Sequence, residues 1–198
     1  MTEKKFFVYG SMSEGLVHFE KIKEFIVHSV PAQIQGSAYR LKVGFPVVLQ
    51  EGFDAICGHL VTLKANDLLF SLLDQFHGFC QTEESQSLYF RKPVAVRADE
   101  GEELAETYFL NPQKLPKTAT FIENGDWKQS LAQQPALTDK LTERQKTYIA
   151  RLGATTGREI VPIDLPLYRE LMNLEMIVDK GRRLALSKMG HEVFRYLS

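Results

Sequence analysis

Two short stretches of this chain carry residues that can do chemistry near neutral pH. The first is LLDQFHGF, residues 72–79, where His77 stands immediately before Gly78 at the end of an apolar helical pattern. An unperturbed imidazole titrates at about pH 6.5, so it is the side chain best suited to carry a proton at physiological pH. A histidine in a last helical turn also has a plain structural use, because it favours the helix dipole and bonds the terminal carbonyls. The second stretch is FVYGSM, residues 7–12, where an apolar run breaks into Tyr9, Gly10, Ser11 and Met12. On its own it reads as a strand ending in a turn.

Other reactive residue types are scattered. His18, His28 and His59 follow no metal-ligand spacing, and Cys57 and Cys80 form neither CxxC nor a zinc pattern. The two cysteines read as small buried hydrophobes. No metal or cofactor is expected. Asp74 reads as a helical residue paired with a backbone group or an arginine.

The elements that must position these residues follow from periodicity. FFVYGS reads as a buried strand. Leu16, Phe19, Ile22, Phe25 and Ile26 recur at helical spacing up to Pro31. Residues 32–52 read as strand, Gly-Pro turn and strand, and ICGHLVTL as a further strand. Asn66 caps a helix that Gly78 ends in the left-handed conformation. YFRKPVAV and ELAETYFL are two strands around the polar turn RADEGE. Strands dominate, and the sheet is expected to be mixed and to close toward a barrel.

Residues 111–140 read as irregular chain, with Trp127 packing the tail onto the sheet. From 141 the pattern changes. Thr142-Glu-Arg-Gln145 is a capping box before a helix carrying Tyr148, Ile149 and Leu152. Asp164 caps a second helix with Pro166 in its first turn and Leu167, Leu171 and Leu174 on one face. A hairpin turns at Lys180-Gly181, and KMGHEVFRYL closes as a helix. This order resembles a winged-helix unit.

Taken in order, several markers resemble the gamma-glutamylcyclotransferase-like superfamily, which includes the gamma-glutamylamine cyclotransferases and AIG2-like proteins. FVYGSM with Gly15 resembles its N-terminal YGS loop. GSAYRLKVGFPVV resembles its G-x-x-Y-x-L and G-x-P segment, and CGHLVTL the strand that follows. LLDQFHGF and SLYFRKPVAV resemble the helix ending L-D-x-x-E-G and the Tyr-x-Arg strand. YFLNP and GDW resemble the closing strand and tail. The resemblance covers residues 5 to about 130. It implies an α+β fold with a small, mixed, largely antiparallel barrel over residues 1–130; outside it, 131–140 reads as a linker and 141–198 as a winged-helix-like extension.

The resemblance also implies an activity. The family's substrates are small gamma-glutamyl compounds. The substrate's α-amine attacks its own gamma-carbonyl and expels an amine as 5-oxoproline forms. Because the nucleophile is tethered, the protein orients it and handles protons. Tyr9, Gly10, Ser11, Met12 and Tyr89 are the implied substrate-binding residues, with backbone N–H groups of the loop holding substrate oxygens. Tyr89 reads equally as pocket wall or packing.

His77 stands where the family's catalytic glutamate is expected. Three readings stay open: His77 as a substitute base, Glu83 or Glu84 acting from the following loop, or lost chemistry with binding retained. A purely structural histidine is compatible with the last two and is expected to exclude the first. Enzyme activity is therefore open, the alternative being a ligand-binding or protein-interaction module.

Composition limits the partners. The net charge is −1, which steers the chain to neither nucleic acid nor membrane. Residues 1–140 carry 14 Lys+Arg against 18 Asp+Glu, and residues 141–198 carry 10 against 7. Asp164, Glu170 and Glu175 make the second extension helix net-negative, which argues against DNA and for a protein partner or homodimer through 141–198. No signal-peptide pattern and no ~20-residue apolar run is present. A soluble, reducing, cytoplasmic setting is expected.

Overall fold

The computed structural model describes residues 3–64, 67–155 and 159–197. The expected cap Asn66 lies outside them. The chain divides into two compact units, residues 1–134 and 135–198.

The first unit is α+β with a mixed, mostly antiparallel sheet. Its strands are β1 (Glu3–Val8), β2 (Ile26–Arg40), β3 (Pro46–Lys64), β4 (Tyr89–Ala98), β5 (Gly101–Leu110) and β6 (Thr120–Phe121), with helices α1 (Glu20–Lys23), α2 (Asp67–His77) and α3 (Trp127–Gln133). The ladder order is β3-β1-β5-β4-β2-β6, and β2 pairs with β3 as well. The β1–β5 pairing is parallel. The β1–β3, β2–β3 and β4–β5 pairings are antiparallel.

Both faces of β1 are covered. Phe7 packs with Ile34, Ile56, Leu60, Val96, Phe109 and Trp127. Phe6 and Val8 point the other way, into a cluster with Ile22, Val61, Leu63 and the α2 residues Leu69 and Leu73. Period-two alternation explains the split. It lays α2 against β1 and β3, so the C-terminal end of α2 comes to lie over β5.

Three expectations are corrected. The helix expected up to Pro31 is only Glu20–Lys23, and β2 begins at Ile26. The β-branched run Ile26-Val27…Val30 suits a pleated strand. Ile26 pairs with Leu63, and the Lys64 amide bonds the Phe25 carbonyl at 2.9 Å. The helical spacing of Phe19, Ile22 and Phe25 instead serves packing against the α2 cluster.

The two strands expected between Pro46 and Leu63 are one strand, β3. Its pairing with β2 jumps from Ser37↔Leu49 to Gly36↔Asp54, so residues 50–53 bulge out. Gly52 at φ +120° makes that bulge possible; a Cβ there would lie 2.0 Å from Ser37 Oγ.

The stretch 111–140 is also more ordered than expected, carrying β6, α3 and α4 (Leu137–Lys140). Trp127 packs as foreseen. It is 2% exposed and its Nε1 donates to the Cys57 carbonyl at 2.7 Å.

The second unit contains α4, α5 (Glu143–Ala154), α6 (Leu165–Asn173), the hairpin β7 (Ile177–Asp179) and β8 (Leu184–Leu186), and α7 (Lys188–Leu197). The Thr142/Gln145 capping box forms, and Asp164 caps α6 with Pro in its first turn. Tyr148, Ile149, Leu152, Leu167, Leu171, Ile177 and Val193 are buried, and Leu174 is half-buried. Among the described residues, no helix is long and apolar enough to cross a membrane.

Trp127 both fills core and satisfies a strand carbonyl. Trp127→Phe is therefore expected to lower unfolding free energy by about 1–3 kcal/mol. Urea unfolding measures this, and an unchanged midpoint would mean the tail does not hold the sheet.

Candidate active site

The turn after β1 forms because Gly10 adopts φ +58°; a Cβ there would meet Pro46 Cγ at 3.1 Å. Residues Gly10–Met12 then make a single 3-10 turn, closed by the Ser13 amide on the Gly10 carbonyl at 2.9 Å. Met12 and Ser13 are buried. The first N–H groups of such a turn have no acceptor within the turn itself, which leaves donors for a ligand oxygen.

The end of α2 explains the histidine. Gly78 takes φ +60°. The Phe79 amide bonds the Asp74 carbonyl at 2.8 Å and the Gly78 amide bonds the Gln75 carbonyl at 3.1 Å, the Schellman arrangement. His77 is the last residue of α2. Its Nδ1 lies 2.9 Å from the Leu73 carbonyl. A carbonyl only accepts, so Nδ1 carries the hydrogen and the lone pair of the neutral ring is on Nε2. The capping role therefore does not exclude the basic one. One ring nitrogen serves the helix end, and in this tautomer the lone pair is on the other.

The ring is also held by aromatics. His77 stacks on Tyr108 with centroids 3.7 Å apart and planes 3° apart. It meets Tyr89 edge-on at 5.3 Å and Phe76 edge-on at 5.0 Å. The edge of Phe76 in turn contacts buried His18, at 4.6 Å. Tyr108 OH donates to Asp74 Oδ1 at 2.7 Å, and Arg91 Nη1 donates to Asp74 Oδ2 at 3.2 Å. Tyr9 OH donates to the Tyr108 carbonyl at 2.8 Å. The parallel β1–β5 pairing brings the end of β1 to the level of Tyr108.

Neither Tyr9 nor Tyr108 is a base. Burial, and then the hydrogen bond and charge of Asp74, push the Tyr108 hydroxyl far above its usual range. Burial, and then the neighbouring Tyr89, do the same to Tyr9.

The carboxylates are occupied or exposed. Asp74 is paired with Arg91 as expected. Glu84 pairs with Lys92, and Glu83 is exposed. Among the described residues no group of three His, Cys, Asp or Glu gathers that could hold a metal. The cysteines depart from expectation. Cys80 is exposed and Cys57 only half-buried, and both are free thiols. Cys80 follows the helix-ending glycine, where no sheet or helix covers it. Its thiol is lowered by a hydrogen bond with Thr82 at 3.2 Å and by backbone bonds.

Tyr9, Gly10, Ser11, Met12, Tyr89 and His77 lie along the β1 end, the α2 end and the start of β4. The residue not foreseen in this role is Tyr108. A signal for it existed. A two-residue turn at Asp99-Glu100 folds β4 on β5 so that Arg91 faces Tyr108, as the ladder does.

The profile of the family described as Gamma-glutamyl cyclotransferase, AIG2-like matches residues 6–129. The chain belongs to this family. No curated protein matches it. Among solved structures, YkqA from Bacillus subtilis is similar at 26% identity and TM-score 0.49, over 66% of this chain and 41% of that one. The chain thus spans less than half of YkqA's length. An AIG2-like protein from Mus musculus is similar at 15% identity and TM-score 0.44, over 59% and 86% of the two chains. An Arabidopsis thaliana protein known from a solution structure is similar at 20% identity and TM-score 0.47, over 83% and 94%.

His59, beside the β1 end through its pairing with Val8, gives a pH test. Burial first, then Lys128, lower its pKa, while Glu14 opposes them. The unfolded state therefore binds more protons just below the ordinary histidine pKa of about 6.5. Its contribution to stability is complete above that value and is lost as pH falls toward the lower folded pKa. The urea midpoint is expected to fall between pH 7.5 and 5.5, and less steeply in His59→Gln. Equal slopes would remove His59 from the acid sensitivity.

Proposed function

We propose that this chain binds a small gamma-glutamyl compound at the Tyr9–Met12 turn and closes it slowly to 5-oxoproline, with His77 in place of the family glutamate. The observation that supports this reading is the His77 Nδ1 bond to the Leu73 carbonyl, with which the lone pair of a neutral ring falls on Nε2.

In the proposed reaction the substrate's α-amine attacks its gamma-carbonyl. The C–N bond of the five-membered ring forms as the bond to the leaving nitrogen breaks. Nε2 takes the proton the amine sheds and returns it to the leaving nitrogen. N–H groups of the Gly10–Met12 turn face the developing oxyanion. Tyr89 walls the pocket beside the ring edge. The β2–β3 pairing that complements the ladder is read as closing it into the small barrel of the family.

Slowness follows from charge. The α-amine of a gamma-glutamyl compound, beside a free carboxylate, is mostly ammonium at pH 7. A carboxylate attracts that ammonium; a neutral imidazole does not, and an imidazolium repels it. Membership of the family supports the substrate class.

A second reading is a non-catalytic module that keeps the pocket for binding. The engagement of Asp74 by Arg91 and of Glu84 by Lys92 favours it, because neither carboxylate stands ready as a substitute base. In either reading the winged-helix-like extension offers a protein or self-association surface, with Ile160 76% and Leu165 56% exposed.

Release of 5-oxoproline from a panel of gamma-glutamyl amino acids and amines decides between them. Wild type is expected to turn over well below about 1 per second, and His77→Ala to abolish what remains. His77→Glu is expected to raise the rate at least about tenfold, since a placed general acid/base is worth ~10²–10⁴-fold. Asp74, one turn earlier, is already neutralised by Arg91, so the new carboxylate faces mainly the helix dipole, a cost of about 0.3–1 kcal/mol. Turnover unchanged in His77→Ala would remove His77 as proton carrier. No release from wild type or from folded His77→Glu would favour the binding module.

A further inference from the structure

We infer that Tyr108 is a positioning residue for His77: its ring is the platform that fixes the imidazole plane, and the Asp74–Arg91 pair anchors that platform. The inference rests on the proton-carrier reading of His77. It goes beyond that reading by naming the residues that make the carrier directional.

The geometry has three links. The two rings are parallel within 3° at 3.7 Å, so His77 cannot rotate about χ2 without losing the stack. Rotation would also carry Nδ1 away from the Leu73 carbonyl, 2.9 Å distant. Tyr108 is itself fixed at both ends, its hydroxyl on Asp74 at 2.7 Å and its carbonyl under Tyr9 OH at 2.8 Å. Asp74 is held by Arg91 at 3.2 Å.

The anchor and its load are on the same helix, three residues apart. Asp74 reaches down to the phenol while His77 lies on the ring, so the end of α2 and Tyr108 clamp each other. Tyr108 is not thereby a catalytic group. Its hydroxyl is committed to Asp74, and the phenol stays protonated. The platform acts only through His77.

Long-range proton–nitrogen NMR on the ¹⁵N-labelled full chain, without ligand, reads the His77 tautomer directly. Wild type is expected to show the Nδ1–H form. Tyr108→Phe keeps the ring and should keep that tautomer. Tyr108→Leu removes the platform and should give a mixture with substantial Nε2–H, together with a 10- to 100-fold loss of any kcat and KM within about threefold. Asp74→Leu frees the phenol and should give a smaller shift in the same direction, and it decides the matter if Tyr108→Leu does not fold.

A wild-type Nδ1–H tautomer retained unchanged in Tyr108→Leu, or in Asp74→Leu when that is the folded variant, overturns the platform. A wild-type Nε2–H tautomer overturns both the platform and the proton-carrier reading. Absence of turnover alone counts against the proposed reaction and leaves the tautomer result standing.

Discussion

The hydrogen bond from His77 Nδ1 to the Leu73 carbonyl sets the tautomer of the ring on which the proposed chemistry rests. It adds a side-chain donor to a carbonyl in the last turn of α2, and by doing so it commits one ring nitrogen to structure. The lone pair of the neutral ring is then on Nε2. A glutamate at the same C-cap has no proton to give the Leu73 carbonyl at neutral pH and places a negative charge at the negative end of the helix dipole. Histidine suits this helix end better.

The rest of the first unit places that helix end. Alternation along β1 sends Phe7 into one cluster and Phe6 and Val8 into the other, with α2 against the second. The parallel β1–β5 pairing brings Tyr9 to Tyr108, and the β4–β5 register puts Arg91 opposite Tyr108. The Schellman end at Gly78 then sets His77 on the Tyr108 ring. Each step depends on backbone pairing, so the side-chain geometry is inherited from the sheet.

The features legible in the sequence are those governed by local rules. Gly78 as a left-handed helix end, the Thr142/Gln145 capping box and the Asp164 cap need only neighbouring residues, and all three form. The marker order from FVYGSM to GDW was enough to reach the family. Long-range pairing was less legible. Residues 26–31 continue a helical apolar pattern and became strand because β3 supplies a ladder partner. The bulge at 50–53 depends on Gly36 and Gly52 meeting across strands. Tyr108 read as one more aromatic in a strand, since its role depends on a helix far earlier in the chain. The exclusion drawn between a capping and a basic histidine treats the imidazole as one group, although it has two nitrogens.

A crystal structure of the chain with a non-cleavable gamma-glutamyl analogue bound tests the site most directly. The expected result has the ligand's gamma-carbonyl oxygen within about 3 Å of the Gly10–Met12 amides and its α-nitrogen within hydrogen-bond reach of His77 Nε2. Nδ1 should stay on Leu73 and the ring parallel to Tyr108. A ligand seated away from this turn, or one whose α-nitrogen meets a carboxylate instead of His77, would contradict the assignment.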